Sequence, residues 1–320
     1  MAGNITALEY EGGVVAIDSG MVRPQMAACY LLETDTAVAV VEAGNNDSAA
    51  RILKVLKSRG RQPEEVSYVI VTHVHLDHAG GAGKLMQKLP NARLVVHPRG
   101  VRHMTDPSRL EASARAVYGD EKFDEMYGTL LPVSEDRVLV MEDGDGLAVG
   151  KRQLSFIDSP GHARHHFCVW DEQTGGWFTG DTFGISYREL DTENGPFIFP
   201  TSTPIQFDPP ALVSSVRRMM EKKPGNMYLT HFGRVRDVER LSEELIHGVE
   251  YFAALGERFD GHENRQLEIE SDMMEWLMER ARAHGVACSD DALREIFMGD
   301  VILNTQGIEF WLDHGRQRET

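Results

Sequence analysis

Cysteine is scarce. Cys29, Cys168 and Cys288 are the three in 320 residues, they lie far apart, and no Cys-x-x-Cys pair occurs. That spacing argues against a disulfide framework and describes free thiols of a reducing compartment, packed as small apolar side chains. Long apolar runs are missing as well. None approaches the roughly 18 residues that a membrane span needs, so no membrane partner is expected. The N-terminal MAGNITALEYEGG lacks the basic stretch followed by an apolar one that marks a secretory leader. These absences point to a cytoplasmic protein. Positive charge is the third shortage: 33 Lys and Arg stand against 50 Asp and Glu, a net charge of −17. An acidic surface repels phosphate backbones, which disfavours nucleic acid as a partner, and its plain use is solubility. Internal repeats and low-complexity tracts are absent too.

What is present suits a folded core. Hydrophobic residues make up 42 % of the chain, and the length fits one large domain, or a domain of about 200–250 residues with an appendage. GVVAIDSG, ACYLLE and AVAVVEAG read as strands, the latter two as a hairpin around Thr34 and Asp35. Asp47 or Ser48 is placed to cap the helix SAARILKVLKSRG, which stops at Gly60. SYVIVTH is a continuous apolar run, suited to a strand covered on both faces. A helix, GKLMQKL, and a strand, ARLVVH, follow. Residues 101–130 read as helical, forming a lid or a wall. From Arg137 strands return in RVLVME, QLSFIDSPGH, HFCVWD and GWFTGD, then a helix, PALVSSVRRMMEKK, and a strand, NMYLTH. This order fits two sheets packed face to face with helices outside. After Arg236 strand signals fade. Leu241, Leu245, Val249 and Phe252 recur at helical spacing, SDMMEWLMERARAHG continues the pattern, and Ser289 can cap DALREIF. The expected division is residues 1–236 as an α/β domain and 237–320 as a helical region. The apolar stripes of that region serve to pack on the domain or to pair two chains as a homodimer.

One stretch stands apart: His73-Val-His75-Leu-Asp77-His78, at the end of the SYVIVTH run. Imidazole and carboxylate suit zinc and other borderline metals. In an extended segment His73 and His75 point the same way. A turn near Asp77 can then aim Asp77 and His78 at a second ion, and the following Ala-Gly-Gly lets the backbone turn without side-chain clashes. Three further candidates sit at strand ends: His162 in SPGH, Asp181 in FTGD and His231 in YLTH. Any one of these alone is more often a structural hydrogen-bonder; joined to the first cluster they read as a ligand set.

THVHLDHAGG, PGH, TGD and LTH, in this order, resemble the metallo-β-lactamase superfamily over residues 10 to 235. The resemblance implies an αββα sandwich with its metals in a groove at one edge of the sheets. Carried over by position, it implies His73, His75 and His162 for one metal, Asp77, His78 and His231 for the other, and Asp181 as the bridge. The expected cofactors are two divalent metal ions, zinc first, with iron or manganese as alternatives because His and Asp suit all three. Two ions sharing a water give hydroxide near neutral pH, and one can polarise the carbonyl under attack. Asp77 is the expected catalytic residue, orienting that hydroxide or accepting its proton.

Further absences narrow the branch. No large insertion lies between Asp181 and His231, as in nucleic-acid-processing members. His75 stands where flavodiiron members carry Glu, and no flavodoxin module follows. Cys168 lies inside a strand, away from the position of Asp181. What remains is similar to glyoxalase II, the lactonases and related thioesterase-like enzymes. It implies a dinuclear hydrolase acting on a small-molecule ester, thioester or lactone. Two other functions fit the same pattern: a mononuclear iron sulfur dioxygenase, using His73, His162 and Asp181, and a sensor that keeps the metal pocket to bind a ligand. Glyoxalase II also ends in helices, but residues 238–261 are too acidic to suit a glutathione carboxylate. Four residues are candidate substrate contacts. Tyr187 matches the lactonase tyrosine that touches a substrate carbonyl, or is a solvent-facing loop residue. His166 matches a second superfamily His four residues after His162, and reads as support for the ligands, with substrate contact as the alternative. Phe197 and Phe199 either wall the pocket or belong to a packed connection. His97 and His103 are expected at the surface or in loops. Val41-Glu42-Ala43-Gly44 departs from the more usual Val-Asp-Thr-Gly, which bears on the support behind the ligands.

Overall fold

Runs of Val, Ile, Leu and Ala become strands where they alternate between two buried faces. In the computed structural model, which describes residues 6–202 and 205–314, the elements are β1 (Ala7–Tyr10), β2 (Val14–Asp18), β3 (Ala28–Glu33), β4 (Val38–Val41), α1 (Asn46–Ser58), β5 (Val66–Ile70), α2 (Leu76–Ala79), α3 (Ala82–Met86), β6 (Arg93–Val96), α4 (Val101–Thr105), α5 (Ser108–Tyr118), α6 (Asp120–Met126), β7 (Val138–Val140), β8 (Gly146–Val149), β9 (Arg152–Asp158), β10 (Phe167–Asp171), β11 (Gly176–Gly180), α7 (Pro209–Met220), β12 (Asn226–Leu229), β13 (Gly233–Val235), α8 (Val238–Phe259), α9 (Arg265–His284) and α10 (Asp290–His314). The chain divides into two compact units. The first holds Met1–Asp158, His165–Gly180 and Tyr228–Arg234; the second holds Ser159–Arg164, Asp181–Met227 and Val235–Thr320.

The expected pair of sheets is observed. One has the order β1-β2-β3-β4-β5-β6-β7, the other β13-β12-β11-β10-β9-β8. The first is antiparallel as far as β4 and parallel from β4 to β7. The parallel part needs crossovers, which α1, α3 and the helices at 101–126 supply. Alternation sorts the strand residues. Val14, Ala16, Tyr30 and Leu32 face a core shared with Phe156, Phe167, Val169 and Phe178. Their neighbours Val15, Ile17, Leu31 and Val40 face the other way, against Ile52, Val55 and Leu56 of α1 and Leu85 of α3. The β3–β4 hairpin turns where expected, with Thr34 Oγ1 accepting from the Ala37 amide at 3.0 Å and donating to its carbonyl at 2.9 Å. Helix α1 begins earlier than expected. Its cap is Asn45, whose Oδ1 accepts from the amides of Asp47 and Ser48, while Ser48 Oγ accepts from the Asn45 amide. Asp47 and Ser48 lie inside the first turn, because Asn45 satisfies the free amides that either would have capped.

In the second unit the helices pack on one another and on the segment after Asp181. Leu241, Leu245, Val249, Phe252, Met273, Leu277 and Leu312 are all buried, and Trp311 is half-buried. Trp276 stacks on Tyr251 with ring centroids 4.4 Å apart. Helices α8 and α10 approach closely at Gly256, where a Cβ would lie 2.6 Å from Ile308. Asn304 of α10 accepts from the Ser202 amide at 2.6 Å. Phe297 of α10 packs edge-on against Phe199, centroids 5.5 Å apart. Tyr187 is buried and donates its hydroxyl to the Asp300 carboxylate at 3.1 Å. Removing that donor takes one hydrogen bond, worth about 1 kcal/mol, from a buried carboxylate, so Tyr187→Phe is expected to lower the urea midpoint; an unchanged midpoint would show that the bond adds nothing. No helix among the described residues is long and apolar enough to cross a membrane.

Candidate metal centre

β5 is held between two parallel neighbours, β4 and β6, so its C-terminal end is a rigid mount. Beyond it the Val71 amide still bonds the Val95 carbonyl at 3.1 Å, and the Thr72 carbonyl accepts from the Phe167 amide at 3.0 Å. His73 follows, fully buried. Two residues on, His75 presents its ring to the same side, as the alternation predicts: His73 Nε2 and His75 Nδ1 are 2.8 Å apart. The chain then winds into α2, and His78 comes back under His73 with ring centroids 4.0 Å apart. Gly81 permits the turn. A Cβ there would lie 2.2 Å from the Asn45 carbonyl oxygen, and the Gly81 amide bonds the Gly44 carbonyl at 2.7 Å.

His231, at the end of β12, completes the cluster within the first unit. One Asp77 oxygen lies 3.3 Å from His78 Nε2 and 3.2 Å from His231 Nε2. The ligand atoms of Asp77, His78 and His231 all lie within 4.8 Å of one another. Burial opposes ionisation of Asp77, but the facing His78 and hydrogen bonds from His231 and His78 outweigh it and hold the carboxyl well below its ordinary range. The outer ring nitrogens decide whether this donor set suits a metal. His78 Nδ1 faces Glu42 Oε1 at 3.1 Å, and His231 Nδ1 faces the Met26 carbonyl at 2.9 Å. Both Nδ1 atoms face acceptors and carry a proton; without a metal the Nε2 atoms can also donate to Asp77, and on metal binding they would give up that proton and present a lone pair. That is the tautomer a metal ligand needs.

In the second unit His162 follows the same rule. Its Nδ1 lies 3.3 Å from the Thr201 carbonyl and its Nε2 lies 3.4 Å from Asp181 Oδ2. Both side chains are buried. The seven expected ligands therefore fall into two sets: His73, His75, Asp77, His78 and His231 in one unit, His162 and Asp181 in the other. Gly180, the residue before Asp181, belongs to the first unit and has no room for a side chain. A Cβ there would lie 2.4 Å from both Thr72 Oγ1 and His166 Nε2.

Glu42 was not among the sequence candidates, and the Val-Glu-Ala-Gly departure turns out to supply support rather than remove it. The residue is buried, with a left-handed φ of 64°. Its Oε1 accepts from Thr72 Oγ1 at 2.5 Å and from Thr230 Oγ1 at 3.2 Å, and Oε2 accepts from the Thr72 amide at 3.3 Å. Thr72 precedes His73, and Thr230 precedes His231. One carboxylate thus ties together three ligand-bearing segments. The available signal was an acidic residue at the end of an apolar strand, with Thr before His in both THVH and LTH.

The other candidates resolve by their packing. His166 is buried and stacks on His73, centroids 4.7 Å apart, which fits support of that ligand. Tyr187 is not the solvent-facing loop residue of the alternative reading. Phe197 and Phe199 are buried and pack against Phe297, the packed connection. His97 is not at the surface. It is buried, accepts from the Arg99 amide at 3.1 Å and faces Asp158 at 3.0 Å, because it caps the short turn after β6. Residues 101–126 are helical for the most part, and Phe123, Tyr127 and Leu130 cluster with Leu76, the residue before Asp77.

Residues 22–231 match the family model of the metallo-beta-lactamase superfamily. The chain belongs to that superfamily. A metallo-beta-lactamase fold-containing protein of Sulfurisphaera tokodaii is 28 % identical over 228 residues, covering 70 % of this chain and 79 % of the relative. The N-acyl homoserine lactonase of Bacillus thuringiensis is 28 % identical over 238 residues, covering 66 % and 81 %. The crystal structure of an archaeal superfamily protein from Sulfolobus tokodaii aligns with a TM-score of 0.65 at 24 % identity, over 93 % of this chain and 98 % of that one. The two-sheet architecture with C-terminal helices is that of the superfamily.

Proposed function

We propose that the protein is a dinuclear metal-dependent hydrolase of a small-molecule ester, thioester or lactone. The observation that carries this reading is the shared design of His78, His162 and His231. Each ties Nδ1 to an acceptor and turns Nε2 towards a carboxylate oxygen of Asp77 or Asp181. His73, His75 and His162 would hold one ion, and Asp77, His78 and His231 the other, with Asp181 between them. Asp181 is peptide-bonded to Gly180, which abuts Thr72 beside His73, and this supports its assignment to the same centre. The lactonase relative supports the substrate class.

Two divalent ions, zinc first, would supply Lewis acidity for the carbonyl and lower the pKa of water to about 7. The chain's own residues do the rest. Asp77, ionised and with its side chain 22 % accessible, holds the attacking water by a hydrogen bond and takes up its proton as the bond to the leaving group breaks. Glu42, the Met26 carbonyl and the Thr201 carbonyl keep the imidazoles in one tautomer. His166 fixes the plane of His73. Elemental analysis of protein purified without added metal, with a screen of lactones, thioesters and aryl esters, tests the reading. About two ions per chain and metal-dependent cleavage of one of these classes are expected. A single iron per chain with oxygen consumption would overturn it in favour of a dioxygenase.

A further inference from the structure

Several arginines of this acidic chain are neutralised. Arg59, Arg61, Arg115, Arg188, Arg240 and Arg265 each pair with carboxylates. Arg102 and Arg109 have no such pair: both are exposed, and neither lies within ion-pairing distance of a carboxylate among the described residues. Arg102 Nε instead donates to His103 Nε2 at 3.2 Å. Asp106 lies in the field of Arg109, but its Oδ1 is held by the Ser108 amide at 3.2 Å.

The place of this pair gives it meaning. His103 is half-buried on α4, and its ring lies 6.2 Å from that of His165. His165 lies 5.6 Å from His75. The two guanidinium groups therefore stand on the His75 side of the candidate centre, two imidazoles away from a ligand. Burial, with the charges of Arg102 and Arg109, lowers the His103 pKa, so the imidazole is neutral near pH 7 and free to accept from Arg102. A chain with a net charge of −17 repels an anion at long range, and a local cationic spot can reverse that field nearby.

We infer that Arg102 and Arg109 form a subsite for a carboxylate carried by the substrate, remote from the bond that is cleaved, so that the preferred substrate is an anionic ester, thioester or lactone. This rests on the hydrolase reading above. Arg102 presents a planar guanidinium already oriented by His103, the geometry that suits a carboxylate. Arg109 adds a second charge, and neither has to break an existing ion pair to bind.

The test uses 4-nitrophenyl hydrogen glutarate and its neutral counterpart 4-nitrophenyl butyrate, with the wild-type holoenzyme and the double variant Arg102→Gln/Arg109→Gln. The wild type should show the lower KM for the glutarate ester. The double variant should raise that KM by about tenfold, the scale of one charge-assisted contact, with kcat within about twofold and the butyrate ester unchanged. Equal KM values for both esters in the wild type, or an equal shift for both in the variant, would overturn the subsite. If the wild type cleaves neither ester, calorimetric binding of glutarate decides the matter separately. Salt-sensitive binding to the wild type that is lost in the double variant supports the subsite even though these esters are not substrates; no difference between the two proteins defeats it.

Discussion

Asp77→Asn is expected to lower turnover of any ester or lactone the protein cleaves by about 100-fold or more, the scale for removing a positioned base, with a circular dichroism spectrum matching the wild type. Asn has nearly the same shape, so the packing around Leu76 and His78 is kept. What disappears is the charge. One Asp77 oxygen faces both His78 and His231 at 3.3 and 3.2 Å, and the carboxyl is held ionised by those neighbours. An amide can imitate one acceptor oxygen, but it cannot take up a proton or balance a cation. Turnover within a few-fold of wild type would mean that Asp77 has no part in the chemistry.

Glu42→Ala should weaken metal binding by about 10–100-fold, the usual result of removing a partner behind a ligating histidine. The effect should appear in a chelator competition that involves no substrate. Four donors converge on this one buried carboxylate: the Thr72 hydroxyl and amide, the Thr230 hydroxyl and His78 Nδ1. Without it His78 is free to turn or to change tautomer, and the buried threonine hydroxyls are left without that acceptor, at about 1–3 kcal/mol for each group. The metal-free variant should therefore also melt lower. Glu42→Gln keeps an oxygen but brings an amide hydrogen into a site full of donors, and should fall between the two. Wild-type metal affinity in Glu42→Ala would show that the carboxylate only fills space.

Much of this was legible in the sequence. The alternation in VIVTHVHLDH places His73 and His75 on one side because strand geometry leaves no other choice, and their ring nitrogens do meet. The two sheets followed from strand and helix order. The apolar stripe of α8 is buried as its spacing required. What escaped has a common physical cause: it depends on partners distant in the chain. Asn45 rather than Asp47 caps α1, because the cap is decided by which side chain reaches the free amides. Glu42 looked like a departure from a pattern, since nothing near it in sequence reveals Thr230. Tyr187 could be read as a solvent-facing loop residue until α10 brought Asp300 to it.

The hub at Glu42 also has a consequence in time. A ribosome delivers the chain from its N-terminus, so β4, β5 and the His73–His78 turn emerge early and have their parallel neighbours soon after. Thr230 and His231 emerge far later, after β12 has been made. Until then Glu42 lacks one of its donors and Asp77 lacks one of the two imidazoles that hold it ionised. The nascent protein therefore passes through a stage in which its strands can pair but its candidate ion-binding cluster is incomplete, and on the hydrolase reading tight loading with metal would wait for the last third of synthesis.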